Sequence, residues 1–398
     1  MNWQLLSLAL TAAALAACGG GGSGGTATAT PSTPTTPTSP TTPTTPTTPA
    51  GDPRLQTLRS DLDNPWGLAE LPSGEWLITQ RTGSLVRVSS DGTARTAVSG
   101  APAVASDGQG GLLDVALDPD FGADPWVYLC FSEPGTGAEA GRAGTAVARA
   151  RLSGTALQGL SVIFRQQPKV SGSGHFGCRL AFGRDKLLFV TLGERQQGSP
   201  AQDLTQTLGK VVRIARDGSI PADNPALGAN ARPGIWSLGH RNPQGAAIHP
   251  DTGELWVGEH GPQGGDEINI ARAGANYGWP LVSYGCNYGD PVGNACRIGG
   301  GTHAPRFVEP LTTWTPTSVA PSGMAFYSGS LFPEWRGNLF AGSLAGQALW
   351  RLTVTGTSVT AKEPLFGNLG ERFRAIKPAS DGSLVLVTDS GKLLRLTR

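Results

Sequence analysis

The sequence lacks a strong net charge, long helical periodicities and long apolar runs. Its 398 residues contain 31 Lys and Arg against 30 Asp and Glu, and this balance argues against nucleic acid or an anionic surface as a partner. Long helical periodicities are absent, whereas glycine is abundant, with 57 residues. The apolar run from Leu5 to Leu15 is too short to span a bilayer as a stable helix. These absences argue against a nucleic-acid-binding protein and against a chain held by a transmembrane helix.

The same apolar run fits the central region of an export signal. Small residues precede Cys18, as in a bacterial lipoprotein cleavage site, which predicts that residues 1–18 form a signal ending at an acylated Cys18. No Lys or Arg lies among Met1 to Gln4, so an ordinary signal peptide cut near Ala17 stays open as the alternative. Residues 19–51 are rich in Gly, Thr and Pro and cannot bury a core, which predicts a disordered tether. The expected location is the periplasm or the cell surface, with a lipid in the outer membrane as the sole contact with a membrane.

Four further cysteines lie in the remaining segment, residues 52–398. In an oxidising compartment they should pair, and four cysteines allow three connectivities. Cys286 and Cys296 bracket a loop rich in Gly, Asn and Asp, so they are expected to pair with each other. Cys130 and Cys178 would then form the second disulfide.

One hairpin pattern recurs along this segment. In each copy an apolar alternating strand leads into a turn, mostly rich in Pro, Asp and Gly, and a second apolar strand follows. Alternation with period two around such turns is typical of antiparallel hairpins. Repetition predicts an all-β fold, a six-bladed β-propeller of four-stranded antiparallel blades with an axial pocket ringed by loops; one or two β-sandwiches are the alternative. The six copies begin at Trp66, Leu113, Leu180, Gly245, Gly323 and Ala375.

Polar loops flank the fourth hairpin. Before it, Arg241 lies beside Asn242 and Gln244, and a guanidinium with two amides suits a planar ligand rich in oxygen. After it, backbone carbonyls and a nearby carboxylate offer the hard oxygen ligands that Ca²⁺ accepts. Loops that only cap the blade ends through hydrogen bonds are the alternative. The stretch after the hairpin runs from Glu259 to Asn269 and includes the carboxylate of Asp266 as a candidate metal ligand.

Three more places carry candidate chemistry. His175 stands at the entry to the third hairpin and Glu194 at its end, so both side chains are expected at one rim, where a carboxylate would orient an imidazole as a general base. A rim histidine held by hydrogen bonds is the alternative. Arg372 and Arg374 point the same way along a strand and favour an anion between them, unless they are scattered surface arginines. Gln109, in a glycine-rich entry to the second hairpin, indicates little by itself.

Taken in order, these segments resemble the PQQ-dependent aldose sugar dehydrogenases, the soluble glucose/sorbosone dehydrogenase family. The match runs from about Asn64 to the C-terminus. The resemblance implies a six-bladed propeller that holds pyrroloquinoline quinone (PQQ) over the axial pocket, with Ca²⁺ between quinone and protein. It also implies oxidation of aldose sugars at C1 to lactones, with electrons passed on to a respiratory acceptor. The matching segments are 107–113, 175–177, 239–245, 261–262, 266–269, 276–280 and 320–323.

The resemblance also implies a role for each residue. His175 is implied as the base that takes the proton of the anomeric hydroxyl, Glu194 as its acidic partner, and Arg241 as the cation that polarises the quinone oxygens. The carbonyls of Gly261 and Pro262 would bind the cofactor Ca²⁺, and a second Ca²⁺ site is implied without assigned ligands between positions 277 and 287. The implied cofactor contacts are Gln109, His175, Arg241, Asn242, Gln244, Ser318, Ala320, Arg372 and Arg374, the last two facing the carboxylates of PQQ.

One position departs from the family pattern. Ala345 falls where the family has a lysine that reaches the cofactor. Loss of that ammonium would weaken cofactor binding by about 1.5–3 kcal/mol, or about ten- to a hundredfold, unless the arginines compensate. Ala345 therefore keeps open a rival function, a cofactor-free propeller that binds a carbohydrate or a protein. A metal-dependent lactonase is less favoured, because no cluster of carboxylates and asparagines is evident in the sequence.

Overall fold

Six sheets, each of four antiparallel strands, account for the fold in the computed structural model, which describes residues 51–398. These residues form one compact unit from Gly51 to Arg398. Each of the six hairpins predicted from the sequence forms the inner strand of one sheet, nearest the axis, and the second strand that pairs with it. The predicted six-bladed propeller is therefore confirmed. The predicted signal, the acylated Cys18 and the tether up to residue 50 lie outside the described residues.

Each blade is formed by consecutive strands, except that the first strand of the chain completes the last blade. Blade 1 contains β2 (Pro65–Glu70), β3 (Trp76–Gln80), β4 (Leu85–Val88) and β5 (Arg95–Val98); blade 2 contains β6 (Leu112–Leu117), β7 (Trp126–Pro134), β8 (Ala143–Ser153) and β9 (Ala156–Arg165). Blade 3 contains β10 (Gly177–Phe182), β11 (Leu188–Leu192), β12 (Lys210–Ile214) and β13 (Ile235–Leu238); blade 4 contains β14 (Pro243–Ile248), β15 (Leu255–Glu259), β16 (Asp266–Ile270) and β17 (Thr312–Trp314). Blade 5 contains β18 (Pro321–Phe326), β19 (Leu339–Ser343), β20 (Leu349–Thr355) and β21 (Ser358–Leu365); blade 6 contains β22 (Phe373–Pro378), β23 (Leu384–Thr388), β24 (Leu393–Thr397) and β1 (Arg54–Arg59).

Apolar side chains join each blade to the next. Six buried hydrophobic clusters fill the six interfaces between neighbouring blades. In the first interface, for example, Leu77 of blade 1 packs with Val115 and Leu129 of blade 2. The inner strand β2 contacts both β6 and β22, which closes the ring. The last blade is completed by β1, which pairs with β24 and so joins the two ends of the described chain.

All six inner strands shift register against their neighbours near their first residues. Such irregularities redirect side chains, and here they occur at the level where Arg179 crosses the axis. Its guanidinium contacts the other five inner strands and stacks over the Trp66 ring at 3.8 Å. The contacts are the carboxylate of Asp114 at 3.1 Å, the carbonyls of Trp66 at 3.5 Å, Gln244 at 2.7 Å and Arg374 at 2.7 Å, and the hydroxyl of Ser322 at 3.4 Å.

Helical structure is limited to short 3₁₀ segments in the described part of the chain, and none of its helices is long and apolar enough to cross a membrane. Two disulfides join the pairs expected from the sequence. Cys130 of β7 is bonded to Cys178 of β10, which links blades 2 and 3 covalently. Cys286 is bonded to Cys296 within the long connection between β16 and β17. The 3₁₀ segments are Gly137–Glu139, Ser199–Gln202, Asn294–Cys296, Ile298–Gly300, Pro333–Trp335 and Gly367–Leu369.

Candidate active site

A polar cavity of about 250 Å³ opens at the end of the axis where the inner strands begin. Its wall is formed by the starts of the inner strands, the loops that enter them and the loops that follow the second strands, because a hairpin returns the chain to the level at which it started. Five of the predicted cofactor contacts line it, namely Gln109, Gln244, Ala320, Arg372 and Arg374. The remaining lining residues are Trp66, Arg81, His260, Leu344 and Asp389.

His175 and Glu194 meet at the rim of blade 3. His175 Nδ1 lies 2.8 Å from Glu194 Oε1, and both side chains are buried. A collision with the His175 carbonyl would follow if Gly193 carried a Cβ, so this glycine permits the close approach. The other carboxylate oxygen, Oε2, accepts the backbone N–H groups of Gln197 and Gly198. The carboxylate therefore keeps a proton on Nδ1, which leaves Nε2 as the basic ring nitrogen.

The backbone around His175 is constrained. His175 adopts a φ of 50°, in the left-handed region that residues other than glycine seldom occupy. Its backbone N–H donates to Gln109 Oε1 at 2.8 Å, so a residue that lines the cavity holds the strained position. Strain of this kind is concentrated at functional sites.

Electrostatics keep the His175 ring neutral. Burial lowers its pKa below the ordinary value, the hydrogen bond to Glu194 opposes this change, and the charge of Arg241 reinforces it. Burial alone would raise the pKa of Glu194, but the hydrogen bond and charge of His175, followed by a backbone N–H, bring it below the ordinary range. The pair thus combines a neutral imidazole with an ionised carboxylate, the state that a general base needs.

Arg241 is buried beside the cavity. Its Nη1 donates to the carbonyl of Gly261 at 2.6 Å and to that of His260 at 3.2 Å, and its guanidinium lies 5.1 Å from the Trp279 ring centre. Its backbone N–H donates to Glu259 at 2.7 Å. The Nε of Arg241 is buried and has no hydrogen-bond partner within residues 51–398.

Asn242 and Gln244 are already engaged inside the protein. Asn242 is fully buried; its Oδ1 accepts the Gly177 N–H at 3.1 Å, and its Nδ2 lies 3.4 Å from His260 Nδ1. Gln244 Oε1 accepts a hydrogen bond from Arg374 at 2.8 Å. Asn242 therefore does not line the cavity, whereas Gln244 lines it as part of a hydrogen-bonded chain.

His260 was missed by the sequence reasoning as a site residue. Its Nε2 lies 3.0 Å from the carbonyl oxygen of Pro321, so Nε2 carries the proton and Nδ1 accepts from Asn242. Burial first, then the charges of Arg241, Arg374 and His175, lowers the pKa of His260 to about 3. The ring is neutral and is fixed as part of the cavity wall.

The arginine pair differs from expectation in one respect. Arg372 and Arg374 do point to the same place, but the anion between them is Asp389, at 2.8 Å from the Nε atom of each. Asp389 immediately follows β23, the strand paired with β22, and this neighbour was not foreseen. The two guanidiniums share one carboxylate, so they do not require a ligand carboxylate to account for their proximity.

The predicted metal ligands form a braced loop. The Gly261 carbonyl accepts from Arg241, and the Pro262 carbonyl accepts from the Ser318 hydroxyl at 3.1 Å. Asp266 is buried, and its oxygens accept three backbone N–H groups at 2.6–2.7 Å, from Gly261, Val319 and Ala320. Burial raises the pKa of Asp266 to about 6, against the effect of these bonds. Asp266 therefore joins the loop around Gly261 to the loop around Ala320 rather than reaching outward.

Ser318 and Ala320 belong to that second loop. Ser318 Oγ accepts the Gly264 N–H at 3.0 Å, which adds another link between the two loops. Ala320 has a φ of 52° and lines the cavity. For the second Ca²⁺ site, no group of three or more His, Cys, Asp or Glu side chains is arranged to hold a metal ion anywhere in the described range, residues 51–398.

A repeated position explains the residues that the sequence reasoning missed. Four of the five unforeseen lining residues stand just after the second strand of a hairpin, and the fifth, Trp66, lies on the first inner strand. A comparison of the hairpins at this position would have indicated them. The four residues are Arg81 after β3, His260 after β15, Leu344 after β19 and Asp389 after β23.

The chain is similar in sequence and in fold to known proteins. The sequence model of the glucose/sorbosone dehydrogenase family matches residues 62–395. The chain belongs to this family. Among the family's proteins, it is 43% identical over 351 residues to the aldose sugar dehydrogenase YliI of Escherichia coli K12, covering 86% of this chain and 92% of that protein.

Solved structures of family members have the same architecture. The apo form of the soluble aldose sugar dehydrogenase from Escherichia coli superimposes with a TM-score of 0.80 at 41% identity, over 87% of this chain and 99% of the other. The PQQ-bound aldose sugar dehydrogenase from Streptomyces coelicolor superimposes with a TM-score of 0.71 at 30% identity, over 88% of this chain and 99% of the other.

Proposed function

We propose that this glucose/sorbosone dehydrogenase family member is a PQQ-dependent aldose sugar dehydrogenase that oxidises aldoses at C1 to lactones. The observation that carries the proposal is the buried His175–Glu194 pair, held through Gln109 against a cavity lined by guanidinium groups. Membership of the family and likeness to a PQQ-bound relative support the same activity.

The residues of the cavity fit an oxygen-rich, carboxylate-bearing quinone. Arg81, Arg372 and Arg374 line it against the single carboxylate of Asp389, so the lining carries a net positive charge. The buried Nε of Arg241 lacks a partner within the described residues, and unsatisfied buried donors are rare in folded proteins. A planar anionic ligand beside these groups would satisfy both conditions.

The fit to Ca²⁺ depends on backbone oxygens. The carbonyls of Gly261 and Pro262 each accept one hydrogen bond from the described residues, and a carbonyl oxygen has two lone pairs. Each therefore retains an acceptor site suited to a hard cation. These two carbonyls would hold the Ca²⁺ that accompanies the cofactor, and Asp266 would hold their loop in place.

The chain's own residues then perform the acid–base part of the reaction. Bound PQQ supplies the acceptor for the hydride that leaves C1 of the sugar. His175 Nε2 accepts the proton of the C1 hydroxyl, and Glu194 stabilises the imidazolium that results. Arg241 lies beside this pair and would present positive charge to the oxygens of the bound cofactor. One proton and one hydride leave the aldose, which accounts for the lactone product.

Two experiments test this function. Purified apoprotein mixed with PQQ and Ca²⁺ should reduce an artificial dye when given aldoses, and no turnover across a panel of sugars at saturating PQQ would reject it. His175→Ala should abolish sugar oxidation while PQQ binding survives. Retained oxidation in that variant would show that the base has been misassigned.

A second function, a non-catalytic propeller that binds a carbohydrate or a protein, has specific support. Ala345 is exposed and bears no cation, and Asp389 neutralises part of the charge of the arginine pair. Both features reduce the positive charge available to PQQ. An absorbance or calorimetric titration with PQQ separates the two functions, because the second predicts no binding at high micromolar concentration.

The proposed setting is the periplasm or cell surface. The export signal, acylation at Cys18 and outer-membrane anchoring through the tether support this location as expectations from the sequence, and the two disulfides fit an oxidising compartment. Electrons would pass from the reduced cofactor to a respiratory acceptor. Metabolic labelling with a fatty acid should mark the wild-type protein and leave Cys18→Ala unlabelled.

A further inference from the structure

Three guanidiniums line the cavity, but they do not carry equal free charge. Arg372 and Arg374 both form ion pairs with Asp389. Arg81 forms no ion pair within residues 51–398; its Nη2 donates to the carbonyl of Gly108 at 2.5 Å. The Nε of Arg81 is buried and has no hydrogen-bond partner in the same part of the chain. Arg81 is therefore the cavity's unneutralised cation.

The position of Arg81 is fixed by its backbone. Its N–H donates to the Asn64 carbonyl at 3.1 Å, and its own carbonyl accepts the Leu112 N–H at 3.2 Å, which ties it to blades 1 and 2. The side chain bonds to Gly108, the residue before Gln109. Arg81 thus stands beside Gln109, whose amide oxygen is bonded to the backbone of His175. A ligand held by Arg81 would lie against the same loop that positions the base.

Burial makes this arrangement costly unless an anion is present. Desolvation first, then the charge of Arg374, lowers the pKa of Arg81, and the charge of Asp389 partly opposes them. An unpaired buried donor and a partly buried cation both lose solvation without compensation in the protein itself. A carboxylate in the cavity would supply a partner for both.

We propose that Arg81 binds a carboxylate of the cofactor with a positive charge that no carboxylate of residues 51–398 pairs with, an inference that rests on the proposed function. The arginine pair contributes less, since Asp389 already neutralises it in part. Arg81, which follows β3, provides a cation in a cavity that lacks the lysine implied by the family resemblance at position 345. Residue 345 itself only donates its backbone N–H to Val319.

Titration of apoprotein with PQQ in excess Ca²⁺ tests this inference without relying on turnover. Arg81→Gln should weaken PQQ binding by about ten- to a hundredfold, the scale of one charge-assisted hydrogen bond. Arg81→Lys should lose less affinity for PQQ, because it keeps the positive charge. Some loss should remain, because lysine lacks the Nε–H. The matched control is Arg372→Gln, which removes a guanidinium of the same cavity that is already paired and should lose less than Arg81→Gln.

Salt dependence provides the second readout. If Arg81 pairs with a ligand carboxylate, raising the salt concentration should weaken PQQ binding to the wild type more steeply than binding to Arg81→Gln. Near-UV circular dichroism should show that all three variants are folded. Wild-type affinity in Arg81→Gln, or a larger loss in Arg372→Gln, would overturn the inference while leaving the proposed function intact. Absence of PQQ binding to the wild type would overturn both.

Discussion

Replacing Glu194 by Gln is the sharpest test of the proposed base, because the change keeps the size of the side chain and alters its hydrogen bonding. In the wild type, Oε1 lies 2.8 Å from His175 Nδ1, while Oε2 accepts two backbone N–H groups, from Gln197 and Gly198. A glutamine has one acceptor oxygen. The backbone N–H groups of Gln197 and Gly198 will donate to this oxygen, so the NH₂ group of the glutamine will face His175 Nδ1. His175 must then accept at Nδ1 and carry its proton on Nε2, which removes the basic lone pair from the nitrogen that should abstract the substrate proton.

The expected loss follows from what a general base contributes. Such a base accelerates reactions by about 10²–10⁴-fold, so kcat should fall by that factor, equivalent to about 3–5 kcal/mol of transition-state stabilisation. The assay is dye reduction by PQQ-saturated enzyme with a saturating aldose. PQQ affinity should change by less than a factor of about three, because Glu194 does not line the cavity.

The pH profile supplies an independent signature. Burial places the pKa of His175 below its ordinary value of 6.5, so wild-type kcat/KM should stay level at neutral pH and decline only below pH 6.5. Glu194 contributes the two effects that raise this pKa, a hydrogen bond and a charge. Their removal should move any residual acid limb to lower pH. Asp118→Asn alters another buried carboxylate, hydrogen-bonded to Tyr128 at 3.0 Å, and should leave the profile unchanged. A wild-type kcat and profile in Glu194→Gln would refute the assignment.

The remaining predictions concern stability and loop geometry. Arg179→Met should lower the free energy of unfolding by about 3–5 kcal/mol, because Asp114 is left as an unpaired buried charge. Urea denaturation should show that Arg179→Met/Asp114→Asn recovers part of this loss. Equal losses in the two variants would contradict this reasoning. Lys210→Met should lower the free energy of unfolding by about 2–4 kcal/mol, since the Lys210 ammonium donates to three backbone carbonyls at 2.8–3.1 Å. A loss below about 1 kcal/mol would show that those carbonyls find other donors. Asp266→Asn should weaken Ca²⁺-dependent PQQ binding about tenfold or more, because an amide offers one acceptor oxygen to three N–H donors; an unchanged Ca²⁺ titration would show that the loops hold without the carboxylate.

The fold was predictable because its signal is local and repeated. Alternation with period two and turns rich in Pro, Asp and Gly identify each hairpin separately. In the structure each of the six hairpins forms the first two strands of a blade, counted from the axis. The proximity of His175 to Glu194 was predictable for the same reason, since both belong to one hairpin.

The rest of the site depends on contacts between strands and blades that one sequence does not display. Asp389 reaches Arg372 and Arg374 only because β23 pairs with β22, and nothing near the arginines in the sequence marks it. The engagement of Gln244 by Arg374 joins blades 4 and 6 in the same way. Backbone carbonyls such as that of Gly261 have no residue type of their own, so they enter through family resemblance alone.

The side chain of Arg179 links all the blades of the ring at the axis. It contacts the other five inner strands, and three of its acceptors, the carbonyls of Trp66, Gln244 and Arg374, belong to residues that also line the candidate active-site cavity. A ring with one blade missing or displaced would leave a charged group on the axis without its full set of partners. The contacts that join the six blades at the axis therefore also fix residues that line the cavity.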